Sequence, residues 1–190
     1  MPAFQHPLAA TLQSMPSTFQ LPLLLVGLAT RDFRLLWLPL GQILAGGFNA
    51  TIKKGAVLCF GKDLMARPRG AINCSSFYSP QSTASSGMPS GHSQFIGFTV
   101  GYLLVLALER HADDMGWGER ALVFSVLAGI AGAVATSRLR GPAWLSACGA
   151  GCHTPAQVVL GVLLGLLLGL LWYWLFDVVE DAVVAKTRSI

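Results

Sequence analysis

The feature that most constrains the fold of this chain is a series of apolar stretches separated by short charged or irregular segments. The most apolar of them is Ala156–Phe176, which is rich in leucine, valine and glycine. A helix needs roughly 20 residues to cross the hydrocarbon core of a bilayer, so this stretch can span a membrane by itself. Four further apolar stretches are shorter, and they are Leu21–Thr30, Leu35 to about Thr51, Ser93–Leu108 and Ala121–Thr136.

The composition also indicates a membrane protein. Charged residues make up 12% of the 190 residues and hydrophobic residues 53%. Soluble domains carry roughly 25% charged residues, so a chain with half that share is expected to be solvated largely by lipid. We predict an all-α integral-membrane bundle of four to six transmembrane helices, with an N-terminal arm (1–20), a membrane domain (21–178) and a C-terminal tail (179–190). Four stretches are expected to span, three of them by tilting or by recruiting neighbouring residues, whereas Leu21–Thr30 either spans with residues of the arm or lies at the interface.

Positive charge is concentrated at one end of the expected bundle. Alternating the spans across the membrane places the long 53–91 connection and the 137–154 connection on the same side. That side carries one acidic residue, Asp63, against seven basic ones, which are Lys53, Lys54, Lys62, Arg67, Arg69, Arg138 and Arg140. Such an excess suits an anion-binding surface. It is also what the positive-inside rule gives a passive cytoplasmic face.

A tetrapeptide on this basic side has the parts of a phosphate site. Pro89-Ser90-Gly91-His92 stands directly before the apolar stretch that begins at Ser93. Pro89 suits the entry to a helix, Gly91 lets the backbone approach an anion closely, and Ser90 adds a hydroxyl donor. The N–H groups of a first helical turn and the helix dipole both attract anions. His92 adds a side chain that exchanges protons near neutral pH.

Two further clusters on the same side complete a recognisable pattern. One is the run Lys62–Arg69, and the other begins with Ser137-Arg138 and resumes at His153–Gln157. With the tetrapeptide, they resemble the three signatures of the type 2 phosphatidic acid phosphatase superfamily, K-x6-R-P, P-S-G-H and S-R-x5-H-x3-D. That superfamily comprises integral-membrane lipid phosphatases related to vanadium haloperoxidases, and the likeness covers residues 40–170 or so. Within it, the stretches Gly87–Phe95 and His153–Val158 are most similar to dolichyldiphosphatases, which also have Gln where relatives have Asp.

The resemblance implies a role for each motif residue. His153 attacks phosphorus and forms a phosphohistidine that water then cleaves, and His92 protonates the leaving phosphate and afterwards activates the water. Gln157, in the Asp position, orients the His153 imidazole without bringing a charge; otherwise it is simply a polar residue at a helix start. The phosphate oxygens are held by the remaining motif residues, which are Lys62, Arg69, Ser90, Gly91 and Arg138. Neither a metal nor a cofactor is implied.

The first signature leaves a choice of lysine. Lys62 and Arg69 are separated by the required six residues, but Arg69 is followed by glycine instead of proline. Pro68 stands on the other side of Arg69 and still stiffens the turn. Lys54 is therefore an alternative to Lys62.

The third signature contains an insertion. Fourteen residues separate Arg138 from His153, whereas the superfamily has five. The extra residues must loop out if Arg138 is to reach the phosphate that His153 attacks. Arg140 is the alternative arginine if they do not.

The activity implied by the resemblance is hydrolysis of a polyprenyl diphosphate, such as dolichyl diphosphate, to its monophosphate. The implied setting is the endoplasmic reticulum membrane, in support of N-glycosylation, with a lipid substrate and no nucleic-acid partner. One alternative is a lipid phosphatase for phosphatidic acid, a sphingoid-base phosphate or undecaprenyl diphosphate. Another is a non-catalytic membrane protein that keeps the pocket.

Two residue patterns predict details of packing. Gly161, Gly165 and Gly169 recur every four residues, which indicates a close helix contact inside the bundle, with a dimer seam as the alternative. The four cysteines show neither zinc-site spacing nor a dense disulfide pattern. We therefore expect them to be free thiols in or beside the membrane helices.

Overall fold

The computed structural model describes residues 20–68, 71, 86–110, 116–139 and 151–188. Within these ranges the chain is helical and contains no strand, which confirms the predicted all-α class. The helices are α1 (Gln20–Thr30), α2 (Phe33–Phe60), α3 (Lys62–Met65), α4 (Gly91–Arg110), α5 (Trp117–Ser137) and α6 (Pro155–Arg188).

Four helices of the described residues are long and apolar enough to cross a membrane. They are Phe33–Phe60, Gly91–Glu109, Trp117–Ser137 and Pro155–Ala182. Each contains one of the four predicted spans, so the chain is a multi-pass membrane protein, as expected. Helix α1 is shorter than a span within the described residues. Helix α6 continues as a helix through most of the segment predicted as a tail.

Helix α2 runs nine residues beyond its predicted end at Thr51 (60 − 51) and stops at Phe60. Lys53 and Lys54 indicated a boundary in the sequence, yet lysine is a good helix former whose long side chain can reach toward water. The start is set by Asp32, whose carboxylate accepts a hydrogen bond from the Arg34 N–H at 3.0 Å. The end is set by Gly61, whose φ of 82° lies in the left-handed region that favours glycine.

Helices α4 and α6 pack backbone against backbone through glycine. A Cβ atom on Gly165 would lie 2.1 Å from the carbonyl oxygen of Gln94, and one on Gly97 would lie 2.3 Å from that of Val162. No side chain fits these distances, so the two helices can approach this closely only at glycine. The other two glycines of the α6 stripe approach α4 in the same way. This confirms the predicted contact inside the bundle.

Helix α2 packs antiparallel against α4 through buried amides. Gln42 donates a hydrogen bond from Nε2 to the Thr99 hydroxyl at 2.8 Å. Further along α2, the Asn49 amide donates to Oε1 of Gln94. All four side chains are buried, so each hydrogen bond satisfies polar atoms that lipid could not. These contacts fix the register of α2 against α4.

An ion-pair cluster joins three helices at the end of the bundle opposite the tetrapeptide. The Arg34 guanidinium of α2 lies 3.5 Å from the Glu109 carboxylate of α4. It also lies 3.3 Å from the Asp177 carboxylate and 2.9 Å from that of Glu180, both on α6. The Tyr173 hydroxyl completes the group by donating to Glu109 at 2.6 Å. We call this group the Arg34 cluster.

Candidate active site

Hydrogen bonds bring the two ends of the third motif together despite the insertion between them. The His153 N–H donates to the Arg138 carbonyl oxygen at 3.3 Å, and the Gly151 N–H donates to that of Leu139 at 3.1 Å. Arg138 and His153 are both buried, with 1% and 3% of their surface exposed. The residues that flank the insertion therefore meet as the motif requires. Arg140, the alternative arginine, lies outside the described residues.

Gln157 holds one side of the His153 ring. Its Oε1 lies 3.3 Å from His153 Nδ1 and accepts a hydrogen bond from the Thr154 N–H at 3.1 Å. Its Nε2 donates to the Ala66 carbonyl oxygen at 2.9 Å, which orients the amide. Because Oε1 can only accept, the proton of the neutral imidazole is on Nδ1. Nε2 of His153 is then left with its lone pair.

Gly87 makes the room that this amide needs. A Cβ atom on Gly87 would lie 2.7 Å from Oε1 of Gln157. Any side chain at this position would therefore displace the amide from the His153 ring. The Gly87 N–H also donates to the Met65 carbonyl oxygen at 2.8 Å, which ties the tetrapeptide loop to the segment after α3.

Arg67 approaches the other side of the His153 ring. Its Nη1 lies 3.3 Å from His153 Nε2 and 3.4 Å from the Cys152 carbonyl oxygen. Pro68 restricts the residue before it to extended backbone, which carries the Arg67 side chain away from α3 and toward α6. Spacing had indicated Arg69, which lies outside the described residues. The signal for Arg67 was the Arg67-Pro68 dipeptide itself, which matches the R-P of the first signature.

The electrostatic surroundings keep His153 neutral. Burial is the largest cause that lowers the pKa of His153, to about 3. The positive charges of Arg67 and Lys53 lower this pKa further, whereas the hydrogen bond with Gln157 raises it. The same charges that disfavour an imidazolium favour an anion beside the ring. A neutral imidazole and an anion beside it are thus favoured by one set of groups.

The tetrapeptide lies at the same end of the bundle as His153. The Ser90 N–H donates to the main-chain oxygen of Gln157 at 3.1 Å, which joins the start of α4 to the first turn of α6. The Ser90 hydroxyl is buried and accepts a hydrogen bond from the Ser93 hydroxyl at 2.9 Å. Gly91 begins α4, so the first N–H groups of a helix point out of this end. His92 is buried in that first turn.

The three lysines of the basic end differ in how far they are exposed. Lys62 is the first residue of the short helix α3, and its side chain is exposed. Lys54, the alternative, is exposed on α2. Lys53 is half-buried on α2, and it is the lysine whose charge acts on His153. Sequence reasoning counted Lys53 in the basic face but did not assign it to the site.

Cys152 corrects one expectation from the sequence. It is disulfide-bonded and fully buried, with a partner outside the described residues, so the prediction of free thiols is wrong for this cysteine. Cys59 is a free thiol, as predicted. The bond constrains the residue directly before His153.

Within the described ranges, no group of three or more His, Cys, Asp or Glu side chains is arranged to hold a metal ion. The charged groups around His153 are the cationic side chains already described.

The match to a family model covers most of the chain. The PAP2 superfamily model matches residues 34–180, a range that contains all three clusters. The chain belongs to the PAP2 superfamily. No curated protein and no solved structure matches it. Membership of the PAP2 superfamily agrees with the resemblance of the three motifs and makes the chain a membrane phosphatase of that superfamily.

Proposed function

We propose that this PAP2 phosphatase hydrolyses a long-chain polyprenyl diphosphate, dolichyl diphosphate in particular, to the monophosphate and inorganic phosphate. The observation that carries the proposal is the environment of His153. Its Nδ1 lies 3.3 Å from the oxygen of a fixed amide, and its Nε2 lies 3.3 Å from a guanidinium nitrogen. This arrangement gives a neutral nucleophile next to a cation that can bind phosphate.

The first chemical step is attack of His153 Nε2 on the terminal phosphorus. The N–P bond forms while the bond from phosphorus to the bridging oxygen breaks, and polyprenyl monophosphate leaves. His92 gives its proton to the departing oxygen. Binding of the anionic substrate draws the Arg67 guanidinium to a phosphate oxygen, which frees the Nε2 lone pair for attack. The proton on Nδ1 stays there and is held by Gln157.

The second step is cleavage of the phosphohistidine by water. His92, now neutral, removes a proton from the water, whose oxygen attacks phosphorus as the N–P bond breaks. Inorganic phosphate leaves and His153 regains its lone pair. Throughout, Arg67, Arg138 and the N–H groups at the start of α4 stabilise charge on the non-bridging oxygens. Phosphoryl transfer gains most from such placement of positive charge.

Two observations favour a lipid diphosphate as substrate. The stretch Gly87–Phe95 and Gln157 are similar to the corresponding parts of dolichyldiphosphatases. The helices around the site expose large apolar side chains, so a prenyl tail can stay in the bilayer while its head group enters the site. Since dolichyl diphosphate is made during protein glycosylation, we place the enzyme in the endoplasmic reticulum membrane, in support of N-glycosylation.

The proposal is tested with purified full-length protein in detergent micelles. Release of phosphate from dolichyl diphosphate is measured in the presence of EDTA, with wild type and His153→Ala side by side. We expect turnover by wild type and a loss of about 10⁴-fold or more in the variant, because the nucleophile is gone. Substrate labelled in its terminal phosphate is expected to leave label on His153 when the reaction is quenched.

The outcomes separate the alternatives. Phosphate release at the wild-type rate by His153→Ala would contradict the mechanism. A much higher kcat/KM for phosphatidic acid, a sphingoid-base phosphate or undecaprenyl diphosphate would contradict the choice of substrate and keep the mechanism. Absence of turnover on the whole panel would favour a non-catalytic protein.

A further inference from the structure

The register between α2 and α4 predicts which α2 residues reach the active site. The two helices are antiparallel, with Gln42 hydrogen-bonded to Thr99 and Asn49 to Gln94. The Asn49 Oδ1 atom lies 3.7 Å from where a Cβ on Gly91 would be. As α2 runs from Gln42 to Asn49, its neighbours on α4 therefore run in the opposite direction, back to the first residue of α4. The next turn of α2 therefore lies level with the tetrapeptide, whose last two residues begin α4.

Lys53 is the residue on that next turn that shares a face with Asn49. Residues four apart lie above one another on a helix, so Lys53 continues the face that Asn49 directs toward α4. Asn49 is buried and Lys53 is half-buried, as expected where this face leaves the bundle at the mouth of the site. The lysine side chain is long enough to carry its ammonium group several ångströms away from the apolar face of α2 toward polar surroundings.

The charge of Lys53 reaches the groups that surround the nucleophile. It acts on the His153 imidazole, second among the charges there after Arg67, and the charge of Arg67 acts in turn on Lys53. Register and electrostatics therefore agree on the position of this lysine. Two cations that repel each other across a site are stabilised when an anion binds between them.

The other lysines of the basic end do not share this position. Lys54 follows on the helix, about 100° further around it, and is exposed. Lys62 is exposed on α3. Counting back from the Arg67-Pro68 pair, the lysine position of K-x6-R-P is occupied by Phe60, which is 63% exposed. Lys53 precedes Phe60 by seven residues, which is close to two helical turns on the same side of α2.

We propose that Lys53 is the phosphate-binding lysine of this chain and contacts a non-bridging oxygen of the substrate's terminal phosphate opposite Arg67. This proposal rests on the proposed function and assigns to Lys53 the role that the sequence motif gave to Lys62. A lysine on a membrane helix, seven residues before the end of α2 at Phe60, is then explained by a ligand instead of by the interface alone.

The test measures phosphate binding without turnover. The thermal unfolding of full-length protein in detergent is followed at increasing inorganic phosphate, with ionic strength held constant by chloride, and the shift gives an apparent Kd. We expect Lys53→Met to weaken phosphate binding about 10- to 100-fold, because a hydrogen bond to a charged group is lost. Lys53→Arg is expected to recover part of the affinity. Lys54→Met is the matched control, which removes the same charge from the adjacent exposed position, and is expected to stay within about twofold of wild type.

Each outcome decides the proposal. It is overturned if Lys53→Met binds phosphate as wild type does while Arg67→Met does not, and the proposed function then survives. It is overturned equally if Lys62→Met shows the loss instead, or if phosphate does not shift the unfolding of wild type. If Lys53→Met loses phosphate affinity but wild type hydrolyses none of the lipid diphosphates, the lysine assignment stands and the proposed function falls. Removal of a lysine from an apolar helix should not impair folding, and the unfolding temperature without phosphate checks this.

Discussion

The two ends of the bundle use the same residue type, arginine, for different purposes. At one end, Arg34 has three carboxylates within 3.5 Å, contributed by two other helices. At the other end, Arg67 donates toward a neutral imidazole and a main-chain carbonyl oxygen. An arginine surrounded by carboxylates is neutralised by the protein and holds helices together. Arg67, beside the imidazole, lies where we propose that the substrate phosphate binds.

The difference shows how a motif arginine can be told from a structural one in a membrane bundle. Both side chains are partly or largely removed from water, so burial does not separate them. Their acceptors do. The Arg34 cluster contains its own counter-charges, whereas the positive charges around His153 come from three different segments of the chain. Substitutions at the two ends should therefore affect different properties of the protein.

Among the substitutions that compare the two ends of the bundle, Arg67→Met is expected to have the largest effect on activity. Removing this guanidinium should lower kcat/KM for the lipid diphosphate about 10²- to 10³-fold, because a donor to the developing charge of the transition state is lost. The unfolding temperature should change little, since methionine is readily buried and no longer requires a charge to leave water. Steady-state kinetics and thermal unfolding in the same detergent measure both.

Arg34→Met makes the same substitution at the opposite end of the bundle and serves as the control. It leaves three carboxylates together at the far end, so the free energy of unfolding should fall by about 1–3 kcal/mol, a value reduced because the cluster is partly exposed. The kcat/KM of the folded protein should stay within about twofold of wild type. If Arg34→Met lost activity at unchanged stability, or Arg67→Met lost stability at unchanged activity, the two ends would not differ as described.

An intermediate effect is expected at Gln157. Gln157→Leu should lower kcat about 10- to 100-fold, as is typical when the partner that orients a functional imidazole is removed. Gln157→Asp should keep more activity, and its carboxylate should raise the pKa of His153 because a negative charge stabilises the imidazolium. The acidic limb of the pH–rate profile should therefore move to higher pH in Gln157→Asp alone. Identical profiles in wild type and both variants would show that Gln157 does not act through the ring.

The smallest effect concerns the pH dependence of stability. The pKa of His153 is about 3 in the folded protein and about 6.5 when unfolded, so the unfolded chain binds more protons between these values. Above about pH 6.5 the imidazole is neutral in both the folded and the unfolded protein, so it does not make the free energy of unfolding depend on pH. Below that pH the unfolded chain gains the proton first, and the free energy of unfolding falls as the pH decreases toward 3. When the pH is lowered from 7 to 5 without phosphate, the free energy of unfolding of His153→Asn should fall by about 1–2 kcal/mol less than that of wild type. Equal losses would mean that the site accepts an imidazolium.

The spans could be predicted from the sequence because hydropathy is a local property. Each of the four predicted stretches lies inside a helix that can cross a membrane. The glycine stripe from Gly161 to Gly169 was equally readable, since a four-residue repeat of the smallest residue defines one helix face. The end of α2 could not be predicted in this way, because lysine residues occur both inside helices and at their boundaries. Lys53 therefore looked like the start of a loop.

The site was predictable only in part because its residues come from elements whose relative positions the sequence does not give. The histidines and Gln157 were identified by their local motifs. Counting from Lys62 indicated Arg69, which lies outside the described residues and stays a prediction. The contact between Arg67 and His153 was not predicted. Across the long insertion, the His153 N–H donates to the Arg138 carbonyl oxygen, so the main chains of these two residues meet. The role of the Arg138 side chain at the phosphate stays a prediction. Closing a longer loop costs little extra free energy, so spacing is a weak guide there.

The glycine contact between α4 and α6 limits which substitutions the enzyme can tolerate on these two helices. One methyl group on Gly165 would meet the Gln94 carbonyl oxygen at 2.1 Å and push the helices apart. A displacement of about 1 Å between reacting groups can reduce a rate about a hundredfold. Because these glycines set the distance between α4 and α6, they also set the distance between His92 and His153, which belong to the starts of these two helices. Substitutions at the glycines are therefore expected to lower the rate although none of them contacts the proposed substrate.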